Sequence, residues 1–224
     1  MQQPTDKLGK LSTVMDAVSP TLEASPPATA PDATPCQALD PRIRRTRELL
    51  QQALATLLES KDFEKISVHD ITDAATVNRA TFYAHYPDKF ALLECMVAAR
   101  FQALLDARGV VFDGTCQSAL TAIVLGVCDF LAGSPCHGPS RDRQMEPHME
   151  SAVVAVVRQM LLSGLKLHPP AGPVSPEMLS AATSWAIYGA AKEWFQTPNR
   201  PPSEEVAQTV VRLIDPILHP APSL

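Results

Sequence analysis

The sequence predicts an all-α fold, and three observations predict it. Apolar residues recur at spacings of three and four through every long segment after residue 41, which is the period of a helix face. Clusters of Pro, Gly and polar residues at Gly133 to Pro139, Pro169 to Pro173 and Thr197 to Pro202 cut those segments into helix-sized lengths. Two helix-start signals, the Ser67-x-x-Asp70 pair and Asn78, stand so close together that only a turn of a few residues fits between the helices they open.

Residues 1–41 hold seven prolines among many Ala, Ser and Thr, with no aromatic residue. Such a composition cannot bury enough apolar surface to offset the entropy of ordering it, so a disordered tail is expected there. Pro41 suits a helix start, and Ile43, Leu50, Ala53, Leu54, Leu57 and Leu58 make 42–59 an amphipathic helix. Arg42, Arg44, Arg45 and Arg47 crowd its first turns, where positive charge opposes the helix dipole. That local cost points to an anionic partner, with a solvated charged face as the plainer alternative. Residues 61–66 form a link whose Phe63 and Ile66 plug a small core. Next come a short helix with Val68, Ile71 and Ala75 on one face, and a second in which Val77 and Phe82 point inward. Tyr86 either packs or faces out. Asp88 to Ala107 reads as a long helix with Leu93, Val97, Phe101, Leu104 and Leu105 on one stripe. After a turn at Phe112-Asp113-Gly114, further helices are expected over 115–132, 149–167, 176–196 and 203–218.

Two short helices joined this tightly make a helix-turn-helix, whose second member is shaped to enter a DNA major groove. The run Val77-Asn78-Arg79-Ala80-Thr81-Phe82-Tyr83-Ala84-His85-Tyr86, followed by Asp88-Lys89 and Leu92-Leu93, resembles the signature of the tetracycline-repressor (TetR/AcrR) family of bacterial transcription regulators. The resemblance runs from Arg42 to Leu105. It departs from the family pattern at Thr76 and Ala80, which stand where Gly is frequent, and Thr is a poor fit to a left-handed turn. The resemblance implies a helix-turn-helix head at 42–88 and a helical effector-binding and dimerisation domain at 89–220. It further implies a homodimer gripping an inverted-repeat operator in double-stranded DNA, with half-sites ~34 Å apart. Repression would be relieved by a small apolar or aromatic effector.

Side-chain roles follow from chemistry and from that resemblance. Arg79 can donate two hydrogen bonds to guanine, so Arg79→Ala is expected to relax sequence preference by about 1 to 3 kcal/mol. The family likeness sets Arg79 and Ala80 against base edges with Ala84 near them. It gives phosphates to Thr81, Tyr83, His85 and Lys89, and adds Arg44, Arg45, Ser67 and Asn78 to the DNA-contacting set. Phe130, Met160, Trp185 and Tyr188 are the candidates for an effector pocket, each with plain core packing as the competing role. Small residues around Trp185, Tyr188 and Trp194, together with the apolar stripe of 203–218, suit a two-helix dimer interface.

Bulk properties narrow the alternatives. The net charge is −5, with 46% hydrophobic residues. Residues 41–100 alone carry a cationic excess, nine Lys or Arg against eight acidic residues, so DNA affinity would rest on a few placed cations plus dimerisation. Five scattered Cys form no ligand spacing, read as reduced thiols of a cytoplasmic protein, and no cofactor or metal is expected. No apolar run is long enough to span a membrane. Tyr188-x-x-x-Lys192 matches the tyrosine–lysine spacing of short-chain dehydrogenases, but no glycine-rich strand–turn accompanies it, so an enzyme is not expected. Two alternatives stay open: a redox or metal sensor using Cys116, Cys128, Cys136, His137 and His148, and an all-helical partner-binding module without DNA.

Overall fold

The computed structural model describes residues 40–133, 144–170 and 172–218, and the expected tail of 1–41 lies almost wholly outside them. The described residues form eight α-helices and one 3-10 turn, with no strand among them: α1 (Pro41–Ser60), the 3-10 turn (Phe63–Lys65), α2 (Val68–Ala75), α3 (Arg79–His85), α4 (Lys89–Ala107), α5 (Gln117–Gly133), α6 (Glu146–Leu167), α7 (Pro176–Gln196) and α8 (Ser203–Leu218). The all-α expectation therefore holds. Helix ends follow the cap signals closely, while α6 starts three residues before the expected Met149, with Pro147 seated in its first turn.

Helices α1 to α3 make a small head. α1 packs against α2 and α4, and α2 against α3. Leu50, Leu54, Phe63, Ile71 and Phe82 fill its centre with no more than 1% of their surfaces exposed. Burying side chains of this size contributes about 1.5–3 kcal/mol each, which is what lets helices of seven and eight residues persist. The rest is a helical body in which α6 lies on α4 and α7, and α5 lies on α7 and α8. α4 belongs to both parts: Leu92 and Leu93 are buried near its start, and Phe101 and Leu105 further along. This shared helix starts at Lys89, and head and body belong to one compact unit.

Candidate nucleic-acid interface

The helix-turn-helix is assembled from three local devices. Ser67 closes a reciprocal capping box: its Oγ accepts from the Asp70 N–H at 3.1 Å while Asp70 Oδ2 accepts from the Ser67 N–H at 2.8 Å. The Ser67 hydroxyl also donates to Asp70 Oδ2 at 2.5 Å, and Lys61 Nζ reaches Asp70 Oδ1 at 3.1 Å. These bonds, those from Ser67 first, hold the Asp70 carboxyl well below the ordinary carboxylate range. α2 then stops on Thr76 at φ +56°, ψ +42°, in the left-handed region. The Thr76 N–H donates to the Asp73 carbonyl at 3.1 Å and the Val77 N–H to the Thr72 carbonyl at 3.0 Å, a Schellman ending normally built on glycine. Two residues later Asn78 opens α3, its Oδ1 accepting from the Thr81 N–H at 2.7 Å.

α3 is anchored by Phe82, which is fully buried, and Tyr86 just beyond the helix is buried as well, settling its role as packing. The opposite face carries Arg79, Ala80, Tyr83 and Ala84, all exposed. Arg79 Nη2 donates to Tyr83 Oη at 3.3 Å, with the guanidinium carbon 5.9 Å from the ring centre. His85 is half-buried on the flank. Burial first, and Arg47 second, lower its pKa, which favours the neutral imidazole over the charged one. Arg44 and Arg45 are exposed on the first turns of α1, Arg44 within 3.6 Å of Glu48.

Three members of the expected DNA-contacting set have partners within the head. The Ser67 hydroxyl proton goes to Asp70, and the Thr81 hydroxyl donates to Asn78 Oδ1 at 2.9 Å. Lys89 Nζ donates to the carbonyls of Ile66, Phe63 and Glu64 at 2.8, 2.9 and 3.3 Å. It lies 4.5 Å from the Phe63 ring centre, and burial pulls its pKa down. It therefore ties the start of α4 to the end of the 3-10 turn. Asn78 likewise serves first as a cap, with its amide nitrogen left as the group able to donate. Sequence reasoning missed Gln51, whose Nε2 approaches Tyr86 Oη at 3.4 Å and Cys95 Sγ at 3.3 Å across the head. No spacing rule links positions so far apart in the chain.

A cavity of about 410 Å³ lies where head meets body, lined by Leu58 of α1, Phe63 of the 3-10 turn, Met96 and Arg100 of α4, Phe130 of α5 and Met149 of α6, among others. Of the four pocket candidates only Phe130 lines it. Trp185 is 52% exposed on α7 and does not line this cavity. Tyr188 is buried core, and Met160 is half-buried outside this cavity. Burial raises the Tyr188 hydroxyl to about 12, and Lys192 is taken by Glu146 and Glu150 at 2.8 and 2.9 Å. This is the reverse of the depressed tyrosine pKa that proton-transfer chemistry at a tyrosine–lysine pair needs. Among the described residues no three His, Cys, Asp or Glu side chains gather as metal ligands, and Cys136 and His137 lie outside them. No helix among the described residues is long and apolar enough to cross a membrane.

Comparison with known proteins places this geometry. Residues 50–96 match the model of the bacterial regulatory proteins of the tetR family. An HTH-type transcriptional regulator of Bacillus subtilis, YxbF, is 42% identical over 69 residues, which is 30% of this chain and 18% of that protein, so the match spans under a fifth of the relative's length. The nucleoid occlusion factor SlmA of Shewanella pealeana is 25% identical over 142 residues, 56% of this chain and 72% of that protein. The crystal structure of Lin0861 from Listeria innocua shares the fold, with a TM-score of 0.56 at 18% identity over 80% of this chain and 94% of that one. Over residues 50–96, the chain therefore carries a helix-turn-helix segment of the kind found in the tetR family of bacterial regulatory proteins.

Proposed function

We propose that the chain binds an inverted-repeat operator in double-stranded DNA as a homodimer and represses transcription until a small molecule releases it. The observation that carries this reading is the outward face of α3, where Arg79, Ala80, Tyr83 and Ala84 stand exposed on a helix whose other side is held by Phe82. Arg44 and Arg45 at the start of α1 are the cations suited to phosphates of the flanking backbone. Dimerisation is supported by the apolar side chains that α7 and α8 leave uncovered, Met178, Trp185, Leu213 and Ile217, between 47% and 67% exposed. The effector reading is supported by the cavity between α1, α4, α5 and α6, because a ligand there touches both head and body and favours one head position over another.

Selection of bound duplexes from a random pool tests this, repeated with apolar and aromatic ligands. An enriched palindrome with half-sites about one helical turn apart is expected, and failure to enrich any sequence sinks the reading in favour of a partner-binding helical module.

A further inference from the structure

The four exposed residues of α3 fall into two rows. At 100° per residue, Arg79 and Tyr83 lie within 40° of each other, and Ala80 and Ala84 form a second pair beside them. The first row is polar and fastened: the hydrogen bond from Arg79 Nη2 to Tyr83 Oη holds the guanidinium along the helix. The remaining N–H groups of the fork are then left to meet two acceptors at once. The second row is two bare methyl groups, which neither donate nor accept. Against the major-groove edges of the bases, a methyl row has one complementary partner, the C5-methyl of thymine.

We propose that α3 reads guanine with Arg79 and neighbouring thymine methyls with Ala80 and Ala84, so that each preferred half-site holds a guanine beside thymines. This rests on the DNA-binding reading above and adds the base class it selects. The two alanine Cβ atoms stand ~5–6 Å apart as an i, i+4 pair, and successive bases on a strand rise ~3.4 Å, so the row spans one or two base steps. The absence of bulk at Ala80 and Ala84 also lets the helix backbone approach the groove floor, which the long Arg79 and Tyr83 side chains could not do by themselves. Tyr83 is a positioning residue in this scheme, holding Arg79 in the conformation that meets guanine.

The test uses the full chain and the duplex it selects from a random pool, rebuilt with single-atom changes. Replacing the contacted guanine by 7-deazaguanine removes only N7, and is expected to weaken wild-type binding by about tenfold while leaving Arg79→Ala, already weakened, unchanged. Replacing thymine by deoxyuridine removes only the methyl, and is expected to cost about fourfold at each contacted position, the worth of one buried methyl. Ala84→Gly should erase that penalty at one position. A palindrome without guanine, or wild-type indifference to both replacements throughout an enriched palindrome, would overturn this proposal while leaving the DNA-binding reading intact. Enrichment of nothing would overturn both.

Discussion

Thr76 holds a left-handed backbone at φ +56°, a conformation a β-branched side chain resists. Strain of this kind costs about 1–3 kcal/mol, against about 0.5–1 kcal/mol of extra chain entropy that a glycine loses on folding. Thr76→Gly is therefore expected to raise the unfolding free energy by ~1 kcal/mol in a denaturant titration, and a decrease would show the turn to be relaxed with Thr. The strain was visible in the chain itself, because a Thr stood where the resemblance led one to expect Gly. Asp70 sets a pH dependence. Its carboxyl is held below the ordinary value in the folded protein by the Ser67 hydroxyl and N–H and by Lys61. A carboxylate depressed in this way adds stability that is present above its unfolded pKa of about 4 and is lost as the pH falls toward the lower folded value. Asp70→Asn should lower the melting temperature at pH 7, and the gap from wild type should close on acidification below about pH 4. A gap that stays constant down to pH 2 would count against the capping box as its source.

Between helices the decisive contacts are backbone ones. The loop after α4 passes over α6 at Gly114 and Gly164, where Gly114 takes φ +99°. A Cβ on Gly164 would fall 2.6 Å from both the Phe112 ring edge and the Phe112 carbonyl oxygen, and 2.7 Å from the Gly114 nitrogen. Because two of these are main-chain atoms, relief requires the loop to move away from the helix. Gly164→Ala should cost about 2–3 kcal/mol of stability with helix content unchanged by circular dichroism, and an unaltered melting temperature would refute the close approach. Gly114 was legible only as part of the Phe112-Asp113-Gly114 turn and Gly164 as an ordinary helix residue; their approach carries no signal in the chain, because they meet only in space. The helix starts at Ser67 and Asn78 were legible for the opposite reason: each side chain bonds to an N–H three residues ahead, and so lies in plain sequence.

At the scale of the whole molecule, α7 and α8 leave Met178, Trp185, Leu213 and Ile217 uncovered, with Trp185 at 52% and Leu213 at 67% exposed. A charge at an exposed position alters a monomer little, but it is costly in the apolar centre of an interface. Leu213→Asp is expected to convert a sedimenting dimer to monomer with its helix content by circular dichroism nearly unchanged, and to lower operator affinity, since one head then grips one half-site. A variant that stays dimeric would place the interface elsewhere.

The chain by itself determined the helices and the identity of the helix-turn-helix segment, because each is written in residues within four positions of one another. Folding decided which of those residues remain available. It drew Lys89 onto the carbonyls of the 3-10 turn, spent the Ser67 and Thr81 hydroxyls on neighbouring side chains, and turned Trp185 outward while Phe130 lined the cavity. The physical reason is that a hydrogen-bond donor or an apolar face goes to whatever partner the packed helices bring nearest. For Lys89, that partner lies more than twenty residues away in sequence.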